Sequence, residues 1–232
     1  MQPAFCAALH LERGNDRGTR RFLAKALTTA GAHDLALRDR WALVLGYVAD
    51  RRAAKGESQS AIDAYHKALE ITPDDPRLLL NLANAERDGA RNEMDMARAL
   101  ADYGRAVRLD PASALALVNQ GIAQAAASDT AAAVASWQRA MRVEPGDPLA
   151  PFNLGGVLLV RGQFAEAATA YRSAIALDPG LAPAQFNLAR ALASAGSYVP
   201  ALHAIRDRLR FDSANASARG MLEMLRQRGA RP

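Results

Sequence analysis

Small and bulky residues alternate with polar ones along this chain in a pattern that repeats about every 34 residues. Each period carries a small residue and, four positions later, a bulky one, so both lie on one face of an α-helix. The small positions are Ala61, Ala99, Ala133, Ala167 and Ala201, and the bulky positions are Tyr65, Tyr103, Trp137, Tyr171 and Ile205. The steps between them are 38, 34, 34 and 34 residues. The pattern predicts helices that approach closely at the small residues and fill the remaining space with the bulky ones.

Proline and glycine mark two helix ends in each period. The prolines disfavour helix in the residue before them and so end the second helix of a pair. They are Pro73, Pro111, Pro145 and Pro179. The glycines stand where the first helix stops, a position that favours positive φ. They are Gly56, Gly162 and Gly196. Each period therefore predicts a helix pair, and the 38-residue step predicts four extra residues in the inter-helix turn around Arg91–Glu93.

One period, Pro148–Leu181, closely resembles a consensus unit of the tetratricopeptide-repeat family. The residues that carry the resemblance are Asn153-Leu154-Gly155, Gly162, Ala167, Tyr171, Ala174 and Asp178-Pro179. The match extends over about residues 42–215. The resemblance implies an all-α, right-handed superhelical solenoid of antiparallel helix pairs. In this family the first helix of each pair lines the concave side, so the protein would present an extended inner surface rather than a closed pocket.

We expect residues 1–232 to form a single solenoid. The predicted segments are a divergent first helix pair (1–34), five repeats (35–75, 76–113 with the insertion, 114–147, 148–181 and 182–215) and a capping helix (216–232). The divergent pair would have helices near Ala4–Arg13 and Arg17–Thr28, followed by a longer connection, roughly Thr29–Asp39. The cap would cover the apolar face of the last repeat.

An asparagine occupies the same place in four successive repeats. These residues are Asn81, Asn119, Asn153 and Asn187. The resemblance places them on the concave face, and an amide both donates and accepts hydrogen bonds. Similar amide ladders bind peptide backbone in the repeat regions of O-linked N-acetylglucosamine transferases and kinesin light chains. The ladder therefore predicts a peptide-binding groove, although the same asparagines could instead fix the packing of the helices.

An apolar residue precedes each of these asparagines. The four are Leu80, Val118, Phe152 and Phe186. Beside an amide ladder, such a strip would favour an extended ligand with hydrophobic side chains, but it could equally pack against the adjacent helix. The carboxylate clamp of chaperone-binding family members is disfavoured, because Leu115 or Leu149 stands where a lysine is needed and Asn119 or Asn153 where an arginine is needed.

Charge and composition limit the possible partners. The net charge is +5, and residues 206–232 hold seven arginines against three acidic residues. A solvated basic end explains this excess better than nucleic-acid binding, which we do not expect. No stretch has the ~18 apolar residues of a membrane span, and no signal peptide is visible, so a cytoplasmic location is the default. A periplasmic one would follow if the chain were cut from a longer secreted protein.

No enzymatic signal is present in the sequence. Cys6 is the only cysteine and the four histidines are scattered, so neither a metal site nor a nucleophilic centre is predicted, and no cofactor is expected. The resulting prediction is a protein–protein interaction scaffold that is not an enzyme and that binds a protein or peptide ligand of unknown identity. Two alternatives stay open: a targeting region or subunit of a larger enzyme of the glycosyltransferase, sulfotransferase or hydroxylase type, and an assembly factor for an envelope, pilus or secretion system.

Overall fold

The structure is a computed structural model, and it describes residues 35–228. This part of the chain contains eleven α-helices and no strand. The helices are α1 (Leu35–Ala54), α2 (Ser58–Leu69), α3 (Pro76–Gly89), α4 (Glu93–Leu109), α5 (Ala114–Ala126), α6 (Thr130–Val143), α7 (Leu149–Val160), α8 (Phe164–Leu177), α9 (Ala182–Ser194), α10 (Tyr198–Phe211) and α11 (Ala216–Gln227). The all-α prediction is confirmed for these residues. The predicted helix pair before residue 35 lies outside them.

The chain divides into two compact units, Met1–Ala112 and Ser113–Pro232. In the described part of the first unit, α1 pairs with α2 and α3 with α4, and α2 also packs on α3. In the second unit the pairs are α5 with α6, α7 with α8 and α9 with α10. Helix α11 packs on α10, where Ala218 and Leu225 are buried. Among the described helices, none combines the length and the apolar character needed to cross a lipid bilayer.

The small residues and the bulky residues of the repeat pattern, which we call the small column and the bulky column, pack together in the interior as the periodicity predicts. All five small-column alanines are fully buried, and the bulky residues beside them are buried as well. The second unit adds a close approach from the first helix of the pair. A Cβ at Gly121 would lie only 2.5 Å from Nε1 of Trp137, and one at Gly155 would lie 2.9 Å from the ring of Tyr171. Glycine at these two positions therefore lets the ring of the second helix lie directly on the backbone of the first.

Four of the five turns within the described helix pairs have the expected left-handed residue. Gly56, Gly162 and Gly196 all have φ of 75°. After Leu159, for example, the amides of Gly162 and Gln163 donate to the carbonyls of Leu159 and Leu158, which closes the helix end. Ser128 takes the equivalent place in the α5–α6 turn with φ of 66°. The predicted left-handed residue is therefore found, with serine in the place of glycine in one turn.

The predicted site of the insertion and the predicted end of the connection at Asp39 both need correction. The four extra residues do not loop out of the α3–α4 turn, because α4 begins at Glu93 and most of them extend this helix at its N-terminus. Asn92 caps the helix, its side chain accepting from the amide of Asp95, which makes the added turn helical. Likewise α1 already begins at Leu35, inside the connection predicted to run to Asp39.

A carboxyl group is buried beside the extended helix α4. Glu86 in α3 is only 7% exposed, and its Oε2 atom has no hydrogen-bond partner. Burial, and after it the negative charge of Asp102, raises the pKa of Glu86 to about 7. Arg98 opposes this effect and Asp95 adds to it. The folded protein therefore holds a proton on Glu86 at pH values where the unfolded chain has lost it.

The buried carboxyl gives a pH-dependence of stability with a defined sign. Between the ordinary carboxyl pKa of 4.5 and about 7, the folded state binds more protons at Glu86 than the unfolded state, so stability falls as the pH rises through this window. Glu86→Gln imitates the protonated form and removes this dependence. We expect the melting temperatures of the wild-type and Glu86→Gln proteins to differ little at pH 4.5. The difference should grow as the pH rises to about 7 and stay constant above that. A difference that is the same at every pH would contradict the assignment.

Candidate functional site

The first helices of the second unit carry three of the predicted asparagines on one face. Helices α5, α7 and α9 touch in succession, and Asn119, Asn153 and Asn187 lie one repeat apart along them, each partly exposed. Asn119 takes part in a polar interaction within the protein. Across the described residues, no group forms a hydrogen bond with the side-chain amide of Asn153 or Asn187. These two amides are therefore available to a ligand, and we call the surface that carries the three asparagines the first-helix face.

The fourth asparagine, Asn81, lies in the first unit and is already engaged. Its Nδ2 donates to Oδ1 of Asp50 at 3.0 Å, and the same oxygen accepts from the Tyr65 hydroxyl at 2.6 Å. Burial, then the hydrogen bond to Asp50, raises the pKa of Tyr65 well above its usual value. Asn81 thus bridges two repeats within the protein, which is the packing role that the sequence left open as an alternative.

The predicted apolar strip does not form as a continuous surface. Leu80 and Val118 are only 7% and 2% exposed and belong to the core. The carbonyl of Val118 also accepts a buried hydrogen bond from Nε1 of Trp137 at 3.1 Å. Phe152 and Phe186 are half-buried and pack against the core of the second unit, the Phe152 ring lying 5.9 Å from that of Tyr171. Only these two phenylalanines retain surface beside the asparagines, so Leu80 and Val118 follow the packing alternative that the sequence left open.

Other apolar residues take the place of the strip. Leu115 and Leu149 are 56% and 42% exposed, and each precedes its asparagine by one helical turn, on the same side of the helix. Val160, seven residues after Asn153, is 85% exposed. The sequence signal for Leu115 and Leu149 is their four-residue spacing from Asn119 and Asn153. The first-helix face therefore combines amides with exposed aliphatic side chains.

The bulky column supplies three tyrosine hydroxyls, and their surroundings differ. The Tyr65 hydroxyl donates to Asp50, as described above. In the next repeat, the Tyr103 hydroxyl donates to Oδ1 of Asn84 at 2.6 Å and accepts from Arg87 at 3.1 Å. The hydroxyl of Tyr171 is buried and has no hydrogen-bond partner. One of the three sites thus has an unused donor where the other two have an internal acceptor.

The last helices of the second unit carry an excess of positive charge. Residues 182–228 contain seven arginines and three acidic residues. Asp207, Asp212 and Glu223 all pair with arginines of their own helix or its end. Arg190, exposed on α9, has no ion-pair partner among the described residues. This end of the unit favours ligands that carry negative charge.

The described residues contain no arrangement suited to a metal ion. Over residues 35–228, no three side chains of histidine, cysteine, aspartate or glutamate converge in a way that could hold one. Of the histidines in this range, His66 and His203 are exposed on the second helices α2 and α10. The chemistry of that face is therefore hydrogen bonding and apolar contact.

Comparisons with known proteins agree with this architecture. A profile described as tetratricopeptide repeat matches residues 119–182 and again residues 152–218, and a profile described as TPR repeat matches residues 49–85. No curated protein matches the chain significantly.

Several solved structures share the fold. MamA protein is 26% identical with a TM-score of 0.63, the match covering 73% of this chain and 90% of that one. PilF of Pseudomonas aeruginosa is 21% identical with a TM-score of 0.70, over 83% and 88% of the two chains. YrrB, described as a TPR protein with an unusual peptide-binding site, is 21% identical with a TM-score of 0.60, over 77% and 90%. With five helix pairs among residues 35–228 and two repeat profiles matched, the chain belongs to the tetratricopeptide-repeat family.

Proposed function

We propose that this protein is a non-catalytic scaffold that holds an extended peptide, or an extended segment of a partner protein, on the first-helix face of residues 113–228. The observation that carries the proposal is the pair of unengaged amides at Asn153 and Asn187, one repeat apart on adjacent first helices. An amide can donate to a peptide carbonyl and accept from a peptide amide, so it recognises backbone whatever the ligand sequence. Polar groups that lack partners on a regular surface are suited to a ligand with regularly spaced partners of its own.

The exposed aliphatic residues indicate which side chains the ligand would carry. Leu115 and Leu149 flank the asparagines along the helix, and burying them under a ligand would contribute about 25 cal/mol per Å² of apolar surface removed from water. The amides then set the direction and register of the ligand, while the leucines supply affinity for its apolar side chains. The family assignment supports the same proposal, because repeats of this kind present extended surfaces to protein partners.

The test uses a peptide selected against the purified protein from a displayed library of random peptides. We expect Asn153→Ala and Asn187→Ala each to weaken binding of that peptide about two- to tenfold, because a net hydrogen bond contributes roughly 0.5–1.5 kcal/mol. The melting temperature should stay nearly unchanged, since these amides bond nothing within the described protein. Asn119→Ala should weaken binding and also lower stability, because Asn119 already takes part in an interaction within the protein. Calorimetry beside thermal melts measures both quantities.

Two sets of controls separate binding from folding. Thr169→Ala and Arg172→Ala change exposed residues on the second helix α8 and should leave affinity unaltered. Asn81→Ala removes the bond to Asp50 in the other unit and should lower the melting temperature. If Asn153→Ala and Asn187→Ala lowered the melting temperature while affinity stayed the same, the asparagines would be packing residues and the proposal would fail.

A further inference from the structure

The repeats themselves show what completes a tyrosine–asparagine pair in this protein. In the first unit, one carboxylate oxygen of Asp50 accepts from the hydroxyl of Tyr65 at 2.6 Å and from the amide of Asn81 at 3.0 Å. The tyrosine comes from the second helix of the same repeat, 15 residues after Asp50. The asparagine comes from the first helix of the next repeat, 31 residues after Asp50. A single acceptor oxygen therefore satisfies both donors and ties two repeats together.

The second unit holds the same two donors without that acceptor. Tyr171 and Asn187 follow Gly156 by 15 and 31 residues, the separations that Tyr65 and Asn81 have from Asp50. Glycine provides no side chain at this place, the Tyr171 hydroxyl is buried without a partner, and the Asn187 amide is unengaged among the described residues. A Cβ built on Gly156 would lie 3.8 Å from the Tyr171 oxygen, in ordinary van der Waals contact, and would meet nothing closer. The backbone at Gly156 thus leaves room for an acceptor beside the hydroxyl.

A positive charge stands next to the incomplete pair. Arg190 lies three residues after Asn187 on the same side of α9, is exposed and has no ion-pair partner among the described residues. Its charge acts on the hydroxyl: burial raises the pKa of Tyr171, and Arg190 lowers it. The corresponding position of the first unit, three residues after Asn81, holds the neutral Asn84. The site in the second unit therefore offers two neutral donors and a cation, which together suit a carboxylate.

We infer that a carboxylate of the bound ligand occupies the place over Gly156, accepts hydrogen bonds from Tyr171 and Asn187, and pairs with Arg190. The inference rests on the proposed function and deepens it, since it makes the ligand an extended segment with an acidic group at one fixed position. It differs from a clamp of lysine and arginine side chains, because the central donor is a tyrosine hydroxyl from the second helix. In the free protein this hydroxyl is buried, so the side chains around it must shift for a carboxylate to reach it.

The first arm of the test places the carboxylate inside the protein. Gly156→Asp recreates the arrangement around Asp50, whereas Gly156→Ala adds only the Cβ and the better helix propensity. We expect the aspartate variant to melt several degrees above the alanine variant although aspartate is the poorer helix former, because it gives the buried hydroxyl an acceptor. Adding Tyr171→Phe should remove this advantage. If the aspartate variant melts at or below the alanine variant, the site does not accept a carboxylate and the inference is wrong.

The second arm uses the library-selected peptides, whose C-terminus is fused to the display protein, so that any carboxylate comes from a side chain. We expect the selected sequences to share one acidic position. Changing it from glutamate to glutamine should weaken binding about tenfold or more, as should Tyr171→Phe. In the Tyr171→Phe protein the glutamine peptide should lose less, because both changes weaken the same hydrogen bond. Synthetic peptides ending in a free acid or an amide show whether a terminal carboxylate can substitute for the side chain.

The outcomes distinguish the inference from the function on which it rests. Peptides that depend on Asn153 and Asn187 but are indifferent to the acidic residue and to Tyr171→Phe would overturn the inference and leave the scaffold proposal standing. A library that yields no peptide dependent on Asn153 and Asn187 would overturn both. Gly156→Asp should also abolish selection of acidic peptides, since its own carboxylate then fills the place and repels another.

Discussion

Trp137→Ala is expected to lower the free energy of unfolding by about 3–5 kcal/mol, the largest effect of any single change considered for this protein. Trp137 is only 2% exposed, lies on the backbone of Gly121 and donates a buried hydrogen bond to the Val118 carbonyl. Truncation removes this apolar contact, leaves a cavity between α5 and α6 and leaves the carbonyl without its donor. Denaturant unfolding followed by circular dichroism measures the loss, and Trp137→Phe should recover most of the packing but not the hydrogen bond.

The reason for the effect can be checked through Gly121. In the wild-type protein Gly121→Ala should be strongly destabilising, because its Cβ would come within 2.5 Å of the indole. In the Trp137→Ala background the same change should be neutral or stabilising, since the indole is gone and alanine is the better helix former. If Gly121→Ala cost the same in both backgrounds, the close approach of ring and glycine would not be what fixes this helix pair.

Tyr65→Phe is expected to cost about 1.5–3 kcal/mol, the usual range for a hydrogen bond to a charged acceptor. The change removes one hydroxyl and leaves the ring in place, so the loss reports the bond to Asp50 at 2.6 Å. Tyr171→Phe is the matched change in the second unit, at a hydroxyl that has no hydrogen-bond partner. It should be neutral or slightly stabilising, because a buried donor without an acceptor is itself unfavourable.

The comparison of the two tyrosines is informative because the rings are alike. Both are buried in the bulky column, each against the first helix of its own pair. Asp50→Ala should reproduce the effect of Tyr65→Phe and add the loss at Asn81. If Tyr171→Phe were as destabilising as Tyr65→Phe, the Tyr171 hydroxyl would have an internal acceptor after all, and the site proposed over Gly156 would already be filled.

Much of the fold could be predicted from the sequence because its determinants are local or strictly periodic. The small and bulky columns identify the buried face of each second helix. Gly56, Gly162 and Gly196 identify turns, because glycine readily adopts the positive φ found there. The insertion could not be placed from its length alone, because its residues form helix rather than loop: Asn92 provides a cap, and the chain extends α4 by most of a turn. A count of extra residues does not say whether they are helical; a capping side chain does.

The site was harder to predict, because one residue on a helix corresponds to a rotation of about 100°. Leu80 and Val118 precede the asparagines by one residue and turn into the core, while Leu115 and Leu149, four residues before, share the exposed face. The repeat pattern by itself does not show that Leu115 and Leu149, rather than Leu80 and Val118, are the exposed residues. The unpartnered hydroxyl of Tyr171 was harder to foresee, because its surroundings involve three helices, α7, α8 and α9. The sequence does carry one signal for it: glycine stands at position 156, where the corresponding position of the first repeat holds Asp50.

The most direct test of the scaffold proposal observes the side-chain amides of Asn153 and Asn187 while a ligand binds. In ¹⁵N-labelled protein these groups give separate NMR signals, which the two alanine variants assign by their disappearance. Titration with the selected peptide should shift both signals at one common affinity and leave the backbone amides of Thr169 and Arg172 in α8 unmoved. Shifts confined to α8, or binding during which both asparagine amides stay unchanged, would contradict the proposal.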